Sequence, residues 1–140
     1  MGPHALGRPD VETIHNTTVE RFGGLQGIRD ENLLESALAQ PFQTFGGVEF
    51  YPDIAAKAAC YAWGIARNHP FADGNKRTAA ASMAAFLRIN GCRFKPRHDE
   101  LYDAMTGIAD GAWDLERLTA WVAENTEATG SVLSKNSESD

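Results

Sequence analysis

"IAAKAACYAWGIARNHPFADGNKRTAAASMAAFLRING", residues 54–91, divides by its own punctuation into helix, loop and helix. Alanine, the strongest helix former, dominates both flanks. Pro70 has no N–H to donate and pushes the residue before it out of the α region. The first helix, opened by Pro52 and Asp53, therefore ends at His69. The second runs from about Asn75 to Asn90, where Asn90-Gly91 supplies a left-handed stop. Its segment "TAAASMAAF" is small on several faces, which permits close approach of neighbouring helices and predicts a central, buried position.

Outward from this pair the chain continues as punctuated helices. Val11, Ile14, His15, Thr18 and Phe22 share one face of a helix that Pro9 opens and Gly23-Gly24 ends. Asp30 is the expected N-cap of a helix with Leu33, Leu34, Ala37 and Leu38 inward, stopped by Pro41. "FQTFGGVEF", residues 42–50, has the aromatic and β-branched content and the central Gly-Gly of a small hairpin, a flap. Leu101, Tyr102, Met105 and Ile108 predict a helix near 99–109, and Asp114 caps another through Leu115, Leu118 and Val122. From Thr126 the sequence turns polar and Ser-rich, so 128–140 is expected to be a disordered tail. Period-two alternation is almost absent. The expectation is an all-α fold: one domain over residues 5–127, a compact bundle of about six helices with a hairpin-like flap.

The 140 residues, 43% of them hydrophobic, suffice for one buried core and fall short of two. Nineteen acidic against 13 basic residues leave a net charge of −6. Nucleic-acid binders rely on Lys and Arg to displace phosphate counterions, so this balance argues against one. No apolar run approaches the roughly 20 residues of a membrane span, and the N-terminus lacks the pattern of a secretory signal. Cys60 and Cys92 lie in apolar helical patterns without CxxC spacing, the usage of buried reduced thiols. The reading is a soluble, cytoplasmic protein.

Against that acidic background, residues 69–77 gather His69, Asp73, Gly74, Asn75, Lys76 and Arg77. A loop ending in Gly74 that turns straight into a helix leaves backbone N–H groups unpaired, with the positive end of the helix dipole behind them. That is an anion site. Lys76 and Arg77 fall in the first turn, where cations oppose the dipole by a few tenths to about 1 kcal/mol each, so an anionic ligand is expected to offset the cost. Phosphate suits: Arg grips two oxygens, Lys brings a point charge and Asn75 donates to a third oxygen. Histidine accepts protons near neutral pH, which fits His69 to the part of base, while Asp73 can ligate Mg²⁺ or orient the accepting group. Asp73 has a rival role as N-cap of the following helix.

Each residue has a plainer reading. A lone histidine before proline is more often a cap, and a Lys-Arg pair is usually a solvated face. Here the histidine is accompanied and the pair sits at the wrong end of the dipole, which favours the functional reading. Phe71 is read as an anchor in the core. His4, His15 and His98 lack metal-ligand spacing and are read as structural or exposed. The sequence carries no HExxH, no P-loop, no protein-kinase catalytic loop and no G-x-S-x-G elbow.

"HPFADGNKR", residues 69–77, closely resembles the H-x-F-x-[DE]-G-N-x-R signature of the Fic fold, in particular its Doc (death-on-curing) toxin branch. "RFGGLQGIRDENLLESALAQP", "YPDIAAKAACYAWGIARNHPF" and "FLRINGCRF" extend the resemblance over roughly residues 5–125. The resemblance implies that His69 takes the proton from a target hydroxyl, that Asp73 is associated with Mg²⁺, and that Asn75 and Arg77 attend the phosphates of ATP. Gly74 matches the first glycine of the loop. Lys76 stands where nucleotidyl-transferring Fic enzymes carry a second glycine, and Ala80 where they carry a second arginine. The Doc branch shares the lysine. Its members imply reversed ATP and transfer of the γ-phosphoryl group to a Ser/Thr hydroxyl, elongation factor Tu being the known class of target, with translation blocked. Adenylyl transfer (AMPylation) is the alternative within the enzymes. A catalytically silent antitoxin-binding module is the alternative outside them, against which the five intact residues His69, Asp73, Asn75, Lys76 and Arg77 speak.

Fic enzymes are often restrained by an [ST]-x-x-x-E-[GN] helix, and no stretch of this sequence fits: "TAWVAEN", residues 119–125, has one intervening residue too many. The resemblance therefore implies a separate antitoxin as partner, DNA reached only through that antitoxin, and no membrane.

Overall fold

The computed structural model describes residues 2–129. Helix α1 (Arg8–Phe22) has Pro9 in its first turn and ends where the Gly23 N–H donates to the Val19 carbonyl at 2.8 Å. Helix α2 (Glu31–Ala39) opens on Asp30, whose carboxylate accepts from the Leu33 N–H at 3.0 Å, and gives way to a 3-10 turn at Gln40–Phe42 where Pro41 removes a donor. Strands β1 (Thr44–Phe45) and β2 (Val48–Glu49) pair antiparallel across Gly46-Gly47. Both glycines have positive φ, 59° and 80°, as a type I′ turn requires. Asp53 caps α3 (Ile54–Asn68) through the Ala56 N–H at 2.8 Å. Helix α4 (Asn75–Ile89), strand β3 (Cys92–Phe94), α5 (His98–Asp110), α6 (Leu115–Glu124) and β4 (Thr126–Ala128) complete the order. Six helices with a small hairpin are present as the sequence predicts, and the fold is mainly helical.

The centre is α3, not α4. Helix α3 packs against α2, α4, α5 and α6, and buries Lys57 together with every residue from Ala58 to Ala66 except Trp63, which is half-buried. Helix α4 buries one stripe, through Thr78, Ala79, Ser82, Met83, Phe86 and Leu87, while Ala81 on its far side is exposed. The small residues of α4 predict a central place for it, yet α3 is equally rich in them. What decides is that α3's small residues surround the helix, whereas those of α4 border Lys76, Arg77 and Arg88, which keep to solvent. The core continues through Leu34, Ile65, Phe71, Ile108 and Leu118. Tyr61, fully buried, has its hydroxyl satisfied by the Leu6 backbone: it accepts from the N–H at 3.0 Å and donates to the carbonyl at 3.3 Å.

Three other expectations are corrected. Strand pairing exists outside the flap: β3 and β4 are antiparallel, with Arg93 opposite Glu127 and Phe94 opposite Thr126. Ala128 thus belongs to a strand, and the Thr129 N–H donates to Gly91 O at 2.8 Å, so the folded part runs past 127. The polar residues of β4 pair through backbone bonds with β3, whose Cys92 and Phe94 pack against the core. Residues 130–140, the rest of the expected tail, lie outside the described residues. Phe22, placed on the inner face of α1, is 56% exposed. It ends the helix beyond the core, and its ring meets the Arg77 guanidinium instead, 4.1 Å from the ring centroid.

Both cysteines are free thiols; Cys60 is buried in α3 as expected, whereas Cys92 is half-buried and lies in β3 rather than a helix. Burial pushes the Cys60 thiol up to about 12 and also raises that of Cys92. No helix of the described residues is long and apolar enough to cross a membrane.

Candidate active site

The loop between α3 and α4 sits at the end of the bundle, against the segment that links α1 to α2. His69 caps α3 in the left-handed region, φ 52° and ψ 60°, as the one described non-glycine residue with positive φ. Such a conformation costs of order 1–2 kcal/mol and persists only where the surroundings hold it. Here the fork of Arg29 holds it: Nε donates to the His69 carbonyl at 2.7 Å and a terminal nitrogen to the Asn68 carbonyl at 2.8 Å. The Pro70 carbonyl accepts from the N–H groups of Arg29 and Asp30 at 2.7 and 3.0 Å, and the Ala72 N–H donates to Gly27 O at 3.0 Å. Phe71 bridges to Ile28 and is 1% exposed, the core anchor expected of it.

Asp73 does not cap α4, the second role the sequence allows it. The N-cap of α4 is Gly74, φ 75°, with no side-chain cap; Asp73 Oδ2 instead accepts from the Leu25 N–H at 2.7 Å. Gly24 makes that bond possible. At φ 120° it adopts a conformation L side chains rarely reach, and a Cβ there would lie 3.0 Å from Asp73 Cβ. Oδ1 of Asp73 has no partner among the described residues. Asn75, expected to face a phosphate, is buried and clamps the loop: Oδ1 accepts from the Phe71 N–H and Nδ2 donates to the Phe71 carbonyl, both at 3.0 Å. One N–H of its amide is left over. Closing a turn from within is the stronger use of a buried amide, because an open loop would strand the Phe71 backbone without partners.

Lys76 and Arg77 are exposed, and no ion pair engages either among the described residues. They share a cavity of about 880 Å³ with His69, Asp73 and Gly74, lined also by Tyr102 and Met105 of α5. That volume is in the range of small-molecule sites. No group of three or more metal-ligating side chains exists among the described residues. A divalent ion here would have one protein carboxylate, through Asp73 Oδ1, and would fill its shell from phosphate oxygens and water. Mg²⁺ accepts that arrangement, so the residues fit it. The cavity can therefore hold a polyphosphate against the open end of α4, with an imidazole beside it.

Several residues that shape the site escaped the sequence reading of function. Arg29 and the Leu25 N–H act from "GGLQGIRD", which reads only as a loop before a helix cap. His15, read as structural or exposed, is 1% exposed and reaches the motif: Nε2 lies 2.8 Å from the Asp73 carbonyl oxygen, and the ring stacks on Phe71 at 3.9 Å with 9° between planes. The available signal was a histidine on the apolar face of α1, which marks a buried partner without saying which.

Comparison with known proteins gives the family. Residues 5–87 match the Fic/DOC family. The chain is 40% identical over 120 residues to a protein named Toxin Doc from Mycolicibacterium smegmatis, covering 84% of this chain and 90% of that one. It is 36% identical over 102 residues to Protein kinase doc of Escherichia phage P1, covering 73% and 79%. A helix-loop-helix with this signature, and relatives matched over most of their length, place the chain in the Fic/Doc family.

Proposed function

We propose that this protein is a Doc-like toxin that transfers the γ-phosphoryl group of ATP to a Ser or Thr hydroxyl of a target protein of the elongation factor Tu class, blocking translation in the cytoplasm. The observation that carries the reading is the shared cavity: His69 and the uncapped, doubly cationic N-terminus of α4 face one space of about 880 Å³. His69 accepts the proton of the target hydroxyl. The hydroxyl oxygen forms a bond to the γ-phosphorus as the bond from that phosphorus to the β–γ bridging oxygen breaks, and ADP leaves. Lys76, Arg77 and the first N–H groups of α4 meet the charge on the phosphates, which is most of what phosphoryl transfer asks of a protein. Mg²⁺ held at Asp73 would neutralise phosphate charge further. Phe22 keeps the Arg77 guanidinium over its ring, so less freedom is lost when the guanidinium grips oxygen.

Lys76 selects γ transfer over adenylyl transfer in this reading. A glycine at 76 would leave the backbone open to the inner phosphates, whereas the lysine stem fills that approach and carries its ammonium to the outer ones. The name of the phage relative, a protein kinase, supports the same choice. A separate antitoxin is the expected partner, and DNA is reached only through it.

Incubation with elongation factor Tu and ATP labelled at the γ or the α position tests the proposal. Label from the γ position, a phosphate-sized mass increase and loss of both with His69→Ala are expected. Label from the α position with an adenylyl-sized increase would replace it with AMPylation. No label, with intact ATP and antitoxin binding, would replace it with a silent module.

A further inference from the structure

We infer that His15, a residue of α1 outside the signature, is a positioning residue that aims the Gly74 N–H at the anion in the active-site cavity. The inference rests on the proposed placement of phosphate at the N-terminus of α4. Nε2 of His15 lies 2.8 Å from the Asp73 carbonyl oxygen, which can only accept, so Nε2 carries the proton and donates. The Asp73 carbonyl and the Gly74 N–H belong to one peptide unit, and a trans peptide is planar, with the two groups pointing in opposite directions. A carbonyl drawn toward His15, which is 1% exposed, therefore turns the N–H away from the core. Gly74 lines the cavity, and its N–H has no acceptor among the described residues.

The ring is held so that it can do this. It stacks on Phe71 at 3.9 Å, nearly parallel, and Phe71 is itself pinned at both backbone groups by Asn75. A Cβ added to Gly74 would stand 3.9 Å from His15 Cδ2, so the imidazole lies next to the peptide it orients, with Thr18 and Val19 of the same helix. Donation to the carbonyl also polarises the peptide and strengthens the N–H on its other side as a donor. A bond between α1 and the loop thus acts on the site without touching the reacting atoms.

Two substitutions separate this role from simple packing. His15→Phe keeps a ring on Phe71 and loses the donor; His15→Gln keeps a donor near the position of Nε2 and loses the ring. The readouts are the dissociation constant for Mg–ATP by calorimetry, the thermal midpoint by circular dichroism, and the one-bond N–H residual dipolar coupling of Gly74 in the unliganded protein. His15→Phe is expected to weaken ATP binding about five- to tenfold, the effect of one net hydrogen bond, and to shift the Gly74 coupling. His15→Gln is expected to stay within about threefold of the parent affinity and to keep the coupling, with the lower thermal midpoint of the two. Packing alone would make affinity follow the thermal midpoint. A folded His15→Phe with parental coupling and affinity overturns the inference. Should His15→Phe not fold, a folded His15→Gln with a displaced coupling overturns it and one with the parental coupling sustains it. A parent that fails to bind Mg–ATP removes the proposed function, while the Gly74 coupling still decides whether His15 aims the peptide.

Discussion

Gly64→Ala sets two effects of opposite sign against each other. Gly64 lies inside α3, where alanine is favoured over glycine by about 1 kcal/mol. A Cβ at 64, however, would stand 2.7 Å from Ala37 Cβ and 2.9 Å from Ala37 Cα, against about 3.5–4.0 Å for carbons in ordinary contact. Helix α2 must then retreat by roughly 1 Å, and Ala37 and Leu34, both fully buried, cannot turn aside. Overpacking of this kind costs about 1–3 kcal/mol. Subtracting the propensity gain leaves a net loss of about 1 kcal/mol, or a fall of about 3 °C in thermal midpoint for a chain of this size. The displacement also reaches the site, because Arg29, which grips the end of α3, stands just before the cap of α2. Urea denaturation at constant m, with the transfer assay on the folded variant, measures both. A gain of about 1 kcal/mol, the value for a solvent-facing helical position, would refute the close α2–α3 contact and the coupling drawn from it.

Arg29→Ala is expected to lower turnover about tenfold to a hundredfold with ATP affinity within about twofold, since it releases His69 from its left-handed conformation and leaves the cationic turn in place; single-turnover kinetics with parental rates would show that His69 holds itself. Lys57, 1% exposed, donates to Glu49 and to the Tyr51 carbonyl, both at 2.5 Å, and so ties the hairpin to α3. Lys57→Met should change stability by less than about 1 kcal/mol, because an apolar residue removes the desolvation cost of the ammonium along with its bonds, yet speed hydrogen exchange over residues 44–50. Unaltered exchange there would exclude Lys57 as the anchor. Cys60, its thiol raised to about 12 by burial, should resist thiol reagents at pH 8 in the folded protein and react once urea unfolds it; rapid labelling before unfolding would contradict the packing around it.

Most helix boundaries were legible because each depends on a signal within four residues. Asp30, Asp53 and Asp114 each cap the helix that follows them through the N–H three residues on. Pro41 and Pro70 stop helices because they remove a donor, and Asn90-Gly91 because Gly91 accepts φ 76°. The cationic turn at Lys76 and Arg77 was legible for the same reason: a glycine before a helix exposes N–H groups whatever lies around it. Strands β3 and β4 were not, since Cys92 and Ala128 find each other only once α5 and α6 have folded between them. Nothing in "TEA" marks a strand.

The parts of the candidate site divide along the same line. The chemistry proposed for it, a base beside an anion-binding helix end, draws on residues 69–77 alone, because side-chain identity and the helix dipole are local properties. Its geometry comes from partners 40, 48 and 58 positions away: Arg29 on His69, the Leu25 N–H on Asp73, and His15 on the Asp73 carbonyl. Helix propensity and periodicity carry no information on which distant group will satisfy a given carbonyl or carboxylate. That choice falls to the packing of α1 against α4 and of the segment after α1 against the α3–α4 loop, which brings those donors within 3 Å of the loop.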